Sequence, residues 1–391
     1  MLHHTSISSL KKTIALYIHI PFCKSKCYYC DFNSYASKEN LISDYCNAVI
    51  EEINLYKNLY EDINEYKVTS IFFGGGTPSF IDSEFIFRIL NECFMVFNIV
   101  DGAEITIETN PGTLTCEKLK TYKKCGINRL SIGLQAWQDI HLLNLGRIHT
   151  QSDFINNYNI ARTAGFKNIN VDLIFGFPNQ TLNDWDETIE MVTSLGTDHL
   201  SCYSLKVEEG TVLDTKIKKN EVEVAEDELD RDMYYLAKKK LKEKGFLHYE
   251  ISNFAKPGFE SKHNMTYWEA KEYIGFGAGA HSYFCSKRYN NIKEPEEYIN
   301  NVLINSRIPS ENITIINEKE KISEYIILGL RLIEGIDLSD FKMRFNVKLI
   351  ELYSEAIEKL TENGLLYLAD NKLKLTDLGL DLANLVFVEF I

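Results

Sequence analysis

Three cysteines, Cys23, Cys27 and Cys30, stand as C-x3-C-x2-C directly after the apolar run Tyr17-Ile-His-Ile-Pro-Phe. Three thiolates leave one iron of a 4Fe-4S cluster without a protein ligand. An iron with an open position can bind a substrate or cofactor directly, whereas a four-cysteine cluster passes electrons. Such a vacancy is what S-adenosylmethionine (SAM) requires. A zinc knot would need a fourth nearby ligand, and the one candidate, His19, lies inside the strand pattern at an unfavourable spacing. The other cysteines (Cys46, Cys93, Cys116, Cys125, Cys202 and Cys285) are scattered singly, as inert core thiols are. Against that background the close group of three reads as a metal-cluster loop.

With 391 residues the chain can bury a large core and hold two or more domains. A formal net charge of -14 argues against a nucleic-acid partner, and the basic run Lys238-Lys239-Lys240 is offset by the acidic stretch Glu221 to Glu228. Nine cysteines without the dense, even spacing of a secreted scaffold point to a reducing compartment, so a cytoplasmic location is expected. No window reaches the roughly 18 apolar residues of a membrane span. The first residues show no charged segment followed by an apolar stretch and a cleavage site, so no leader is expected either. The apolar end Leu385-Val-Phe-Val-Glu-Phe-Ile is too short to span a bilayer and is expected to dock as a last helix or strand. A peripheral membrane contact and a homodimer both stay open.

Short β-rich runs near Ala15 to Ile20, Val68 to Phe73, Glu104 to Glu108, Arg129 to Ile132, Asn168 to Phe175 and His199 to Leu205 alternate with helical patterns. The helices are expected over Leu41 to Tyr56, Ser83 to Asn98, Asp153 to Ala164 and Leu182 to Ser194, several ending at a capping glycine such as Gly126, Gly165 or Gly196. Strands alternating with helices imply a parallel sheet with right-handed crossovers. The expected fold is therefore α/β, a partial (β/α)6 TIM-like barrel with a lateral mouth for a bulky substrate. In such barrels chemistry collects at the C-terminal ends of the strands. The three cysteines follow strand one, Gly74-Gly75-Gly76-Thr77-Pro78 follows strand two, Glu108 ends strand three and Gln135 lies past strand four. Asp172 sits within strand five, with Gly176 and Pro178 after it.

A charged helix from Asp227 to Lys244 leads into Gly245, and an irregular stretch rich in aromatics and glycine runs to about Asn291. Beyond roughly Asn301 short helices precede Gly364-Leu-Leu-Tyr-Leu-Ala-Asp-Asn-Lys-Leu-Lys-Leu-Thr, two strands about a polar turn, which suggests a small winged-helix-like domain. Lacking a basic recognition face, that domain is expected to be a structural lid or docking surface. The expected division is a core over 1–245, a barrel-completing segment over 246–300 and a C-terminal domain over 301–391.

In their order and spacing, the Tyr17 strand, the cysteine loop, Gly-Gly-Gly-Thr-Pro, Glu108-Thr-Asn-Pro, Asn128-Arg-Leu-Ser-Ile-Gly-Leu-Gln135 and Asp172-Leu-Ile-Phe-Gly-Phe-Pro resemble the oxygen-independent coproporphyrinogen oxidase-like branch of the radical SAM proteins. The resemblance covers nearly the whole chain. It implies that Tyr17 and Tyr29 flank the cluster and SAM, with Tyr29 near the adenine. It also implies that Gly75, Gly76 and Thr77 meet the methionyl amine and carboxylate, where glycine permits close backbone approach. Glu108, Gln135, Arg147 and Asp172 resemble the remaining SAM contacts. SAM carries an amine, a carboxylate, a sulfonium and a diol, so both signs of charge suit its site. Taken alone, Arg147 reads as a surface arginine.

Two features separate the subgroups of this branch. The decarboxylase subgroup has a further cysteine two residues after the third ligand and a long N-terminal extension; here Phe32 holds that position and sixteen residues precede Tyr17. His263-Asn264-Met265-Thr266-Tyr267-Trp268 resembles the HNxxYW signature of the haem-chaperone subgroup. That resemblance implies haem as a ligand, with His263 as an axial iron ligand and Tyr267 and Trp268 as flat surfaces for the macrocycle. By itself the hexad reads as a buried histidine beside core aromatics. Gly275-Phe-Gly-Ala-Gly-Ala-His281-Ser282 lacks the full dinucleotide fingerprint; the resemblance makes it a conformational loop near the cluster end, with His281 facing the site. The expected function is a haem chaperone that carries a 4Fe-4S cluster and SAM and delivers haem to acceptor haem proteins. The rivals are oxidative decarboxylation of coproporphyrinogen III and a haem-degrading radical SAM methyltransferase.

Overall fold

Strand β1 (Thr13–Ile20) buries Ile14, Leu16, Ile18 and Ile20 together with Ala15 on the other face. A strand buried on both faces belongs to a parallel sheet covered by helices. It is followed in the sheet, in chain order and all parallel, by β2 (Lys67–Gly75), β3 (Asn98–Thr109), β4 (Arg129–Gln135), β5 (Asn168–Phe175) and β6 (His199–Ser204). Helices Ile42–Leu59, Ser83–Val96, Cys116–Lys124, Gln151–Thr163 and Leu182–Ser194 make the crossovers that parallel pairing requires. The computed structural model describes residues 12–391. The N-terminal stretch read above for a leader lies outside the described residues.

Local chemistry sets the boundaries. The helix expected from Asp153 begins at Gln151, because Thr150 is its cap and Asp153 is the reciprocal residue of a capping box. The helix Leu182–Ser194 has the same device in Thr181 and Asp184 and starts where expected.

The six parallel strands form the expected partial barrel, and the sheet continues past them to twelve strands in all. One expectation needs correction. Glu272–Phe276 lies parallel to β1 on its outer side, and His281–Phe284, Lys287–Asn291 and Ser310–Ile315 extend it in antiparallel fashion. Beyond β6 come Asn253–Ala255 and Leu247–Glu250. The stretch read as irregular up to Asn291 is thus a set of short strands with the helix Lys262–Trp268 between them. Strands of three to five residues, turned at Cys285 and Ser286 with φ of 51° and 60°, are too short to print a period on the sequence. Among the described residues the end strands Ser310–Ile315 and Leu247–Glu250 are not paired with each other, so the barrel stays open at its side.

The C-terminal part has its own core, built from Ile326, Leu330, Phe341, Leu349, Leu373, Val386 and Phe390 among others. Its hairpin, Leu366–Ala369 with Lys372–Leu375, turns at Asp370 and Asn371, both at positive φ as a two-residue primed turn demands. Ile336–Asp337 adds a third strand, giving helices packed on a small sheet in a winged-helix-like arrangement. The chain end forms the short helix Ala383–Phe387, with Val386 and Phe390 buried.

One buried carboxyl ties the outer strands to the barrel. Glu52, on the first helix, accepts the Gly277 N–H at 2.8 Å, the Asn291 side-chain amide at 2.7 Å and the Tyr298 hydroxyl at 2.7 Å. Burial pushes its carboxyl up to about 7. Glu52→Ala would strand these donors without an acceptor, and a loss of roughly 3 to 5 kcal/mol is expected in chemical denaturation. Glu52→Gln should lose less, since the amide oxygen still accepts. A parent-like midpoint for Glu52→Ala would remove Glu52 from the framework.

Candidate cofactor site

The rim at the C-terminal ends of β1 to β6 is held open by a clamp on the cysteine loop. The two-residue strand Phe22–Cys23 pairs with Tyr35–Ala36, closing the neck of the loop. Within it His19 Nε2 donates to the Asn33 carbonyl at 2.8 Å, and His19 Nδ1 accepts from the Tyr17 hydroxyl at 3.0 Å. Burial lowers the His19 imidazole to about 4, so this neutral ring bridges strand and loop across physiological pH. Asn33 in turn donates to the Ala278 and Lys293 carbonyls.

The loop and rim enclose a cavity of about 310 Å3. Cys23, Cys27, Cys30, Tyr29, Gly75, Gly76, Thr77, Glu108, Gln135, Arg147 and Asp172 all line it. Each sulfur has a polar neighbour. The Thr77 hydroxyl donates to Cys23 Sγ at 3.5 Å, Arg147 Nη1 donates to Cys27 Sγ at 3.4 Å, and Ser34 Oγ lies 3.9 Å from Cys30 Sγ. Asn110 ties two of these together. Its amide donates to Thr77 Oγ1 at 2.8 Å and its carbonyl oxygen accepts from Arg147 Nη2 at 2.7 Å. Donors placed against sulfur in this way offset the negative charge that thiolate ligands bring. Arg147 is therefore part of the site and not a surface arginine.

The donor set fits a polynuclear cluster. Among the described residues no three His, Cys, Asp or Glu side chains converge as a single metal ion would need. A 4Fe-4S cube takes one thiolate per iron, and Cys23, Cys27 and Cys30 all line the one cavity. Burial pushes the Cys23 and Cys30 thiols up, so loading iron must displace their protons.

The wall beyond the cysteines suits a ligand with both charges. Glycine is required at Gly76, where a Cβ would stand 2.9 Å from the Phe22 carbonyl oxygen and 3.0 Å from Cys23 Sγ. Gly75 has φ of 112° and donates its N–H to Glu108 at 3.1 Å. Burial first, and the neighbouring Asp172 second, push the Glu108 carboxyl up to about 8. Asp172 accepts from Ser131 at 2.8 Å and from Asn170 at 2.9 Å. Gln135 closes β4 at φ 75°, where the pairing with β5 slips by one residue. A side chain held in that sparsely populated region at a cavity wall is backbone strain located at a site. Asn110 and Ser131 were missed as site residues. Asn110 stands in the Glu108-Thr-Asn-Pro motif and Ser131 in the Asn128-Arg-Leu-Ser-Ile-Gly-Leu-Gln135 motif, so both could have been found there.

The chain is matched by known proteins over this whole architecture. Residues 17–192 match the model of the radical SAM superfamily, and 316–382 match that of the HemN C-terminal domain. A Bacillus subtilis protein named heme chaperone HemW is 37% identical over 376 residues, covering 96% of this chain and 98% of its own. A Lactococcus lactis protein of the same name is 34% identical over 382 residues, covering 98% of each. The chain belongs to the HemW family. The solved structure of coproporphyrinogen III oxidase, HemN, from Escherichia coli is 23% identical and superposes with a TM-score of 0.84 over 97% of this chain and 90% of that one. It shares the fold, a radical SAM barrel with a C-terminal domain.

For this HemW-family chain four expected site residues lie elsewhere than at the cluster cavity. Tyr17 does not line it; its hydroxyl orients His19 from inside the barrel. His263, Tyr267 and Trp268 belong to the helix Lys262–Trp268, deeper in the barrel than the rim. His263 contacts Ser70, five positions ahead of Gly75 on β2, and its backbone N–H donates to Glu104, four positions ahead of Glu108 on β3. The axial-ligand role expected of His263 falls on a ring whose two nitrogens are both in use. His263 is 1% exposed, and its Nδ1 and Nε2 are engaged by Ser70 at 3.0 Å and by the Tyr267 hydroxyl at 2.8 Å. Its ring stacks on Phe72, with centroids 5.0 Å apart. Trp268 packs under the Arg331 guanidinium at 4.5 Å, which fastens the C-terminal part to the barrel. His281 is exposed and outside the cavity wall, contrary to the expectation that it faces the site. Phe32, 63% exposed, stands on the cavity lip.

Proposed function

We propose that this chain is a haem chaperone, binding haem and passing it to acceptor haem proteins while holding a 4Fe-4S cluster and SAM in the rim cavity. The observation that carries the reading is the pair of relatives so named, matched over nearly the full length of both chains. Cys23, Cys27 and Cys30 would hold the cluster, which when bound supplies an open iron position and an electron source. Thr77, Arg147 and Ser34 offset the thiolate charge, and Asn110 fixes two of them. Gly75 and Gly76 let the backbone approach the methionyl end of SAM, Glu108 and Asp172 offer carboxyls to its amine and diol, and Gln135 and Tyr29 complete the wall. Segments 1–245, 246–300 and 301–391 divide the work into cofactor site, barrel closure and docking. None of the nine cysteines is joined in a disulfide, which supports a reducing, cytoplasmic setting. Among the described residues no helix is long and apolar enough to cross a membrane.

Haem ligation by His263 requires that the imidazole first leave Ser70 and Tyr267. Binding in stopped flow should therefore saturate in rate at high haem, reporting a unimolecular opening step. Tyr267→Phe should raise that limiting rate, and His263→Ala should alter the Soret spectrum more than the affinity. Transfer of the bound haem to an apo-haem protein, followed by absorbance, completes the test. Failure of haem to bind saturably would refute the chaperone reading. Appearance of protoporphyrinogen after anaerobic incubation with coproporphyrinogen III, SAM and a reductant would favour the decarboxylase, which Phe32 opposes.

A further inference from the structure

Behind the cofactor cavity, inside the barrel, lies a second chamber of about 190 Å3. Glu108, Ser131, Asp172 and Tyr203 face both spaces, so a ligand in the outer cavity can send an arm into the inner one. The chamber is polar, and one of its wall residues is a buried cation. Arg129, at the start of β4, is 2% exposed. Its Nε has no partner among the described residues, and the neighbouring Glu104 Oε2 stands 4.0 Å away. Glu104 is already committed elsewhere. It accepts the Lys262 and His263 N–H groups, each at 3.1 Å, and the Ser261 hydroxyl at 3.4 Å.

The other carboxyls on the wall do not serve Arg129 either. Asp172 is taken up by Ser131 and Asn170. Glu108 is pushed up to about 8, so near neutrality it presents a proton to the chamber and adds a donor. A buried guanidinium that lines a polar space and has a nitrogen without a hydrogen bond is matched to an incoming anion. The planar fork selects carboxylate or phosphate geometry. A polar space of this kind suits a small group such as water or a carboxylate on two or three carbons.

We infer that this chamber is a carboxylate subsite anchored by Arg129, fitted to a short carboxylate arm of a ligand in the outer cavity or to a small free carboxylate. Under the haem reading the arm is a propionate, and that identification alone rests on the reading. The subsite itself does not.

The test uses the full chain without cofactors, titrated calorimetrically with sodium propionate and with propionamide at fixed ionic strength. Saturable heat is expected from propionate and none from propionamide. Arg129→Gln should weaken propionate at least tenfold. Ser201→Leu, which fills the chamber and leaves Arg129 in place, should do the same, so a folding defect in one variant does not decide the matter. Equal behaviour of propionate and propionamide in the parent, or undiminished propionate binding in both variants, would overturn the subsite. Haem and its dimethyl ester then separate the sources. A preference of the parent for haem of tenfold or more, lost in Arg129→Gln, assigns the arm to the tetrapyrrole; equal binding of the two, with propionate binding intact, assigns a free carboxylate. If haem fails to bind while propionate binds, the chaperone reading falls and the subsite stands.

Discussion

Replacing any one of Cys23, Cys27 and Cys30 by alanine is expected to abolish the brown chromophore of anaerobically reconstituted protein and reduce its iron to background. No other thiol can substitute. Cys46, Cys93 and Cys202 are buried in the apolar core, Cys125 is half-buried against it, and Cys116 and Cys285 are exposed and distant from the cavity wall. Alanine at all six should leave iron content unchanged, although Cys46, Cys93 and Cys202 will each cost stability by leaving a small void. Iron and sulfide analysis decides the matter. Loss of iron in the six-fold variant with its fold intact, or retention in a variant of the loop, would sink the assignment. The neighbours of the sulfurs should behave differently from the ligands. Thr77→Val and Arg147→Gln remove a donor from Cys23 and Cys27, and roughly 10- to 100-fold weaker cluster retention is expected.

How legible the molecule was in its sequence depended on the range of the interactions concerned. Asn168–Phe175 and Leu182–Ser194 were read to the residue, because an alternation of polar and apolar residues and a Thr-to-Asp capping box are local signals. Gly76 was legible for a related reason: a site that admits no Cβ leaves glycine as the only choice. The strands between Leu247 and Ile315 were not legible, since short antiparallel segments take their order from partners far along the chain. Glu52 meets Gly277 and Tyr298 across more than two hundred residues, and nothing local announces it. Arg147 shows the same limit in the cofactor site. An arginine after a short helix looks exposed until the fold brings Cys27, Asn110 and Gly133 to it. The hexad at His263 is the instructive case. Residue types suggested an iron ligand with aromatic flanks, yet the direction of the His263 ring is set by Ser70 and Phe72 on a distant strand. The chemistry of a motif can be read from its letters, but whether its nitrogens are free cannot.

Raising the pH should destabilise the cofactor-free protein, and Glu108 is the residue expected to contribute most. Its folded carboxyl is pushed up to about 8 from an ordinary value of 4.5. Between those values the folded state keeps a proton that the unfolded chain releases. The unfolding free energy therefore falls as pH rises through the window, and the loss is complete above about 8. At about 1.4 kcal/mol per pH unit, the effect is a few kcal/mol. Glu52, raised for the same reason, adds to the slope below about 7. Glu108→Gln keeps an acceptor for the Gly75 N–H but removes the titration, so it should flatten the pH profile of denaturation and be more stable than the parent at pH 9. The same substitution should harm function. A cationic amine arriving beside Glu108 favours the carboxylate, so SAM binding to the reconstituted protein should release a proton below pH 8 and tighten as pH rises towards it. Glu108→Gln removes that charge, and a loss of roughly 10- to 100-fold in SAM affinity is expected for a charge-assisted hydrogen bond. Calorimetry in buffers of different ionisation enthalpy measures the released proton. A variant that gains stability at high pH while binding SAM as tightly as the parent, with the same proton release, would separate Glu108 from the amine and leave Asp172 to receive it.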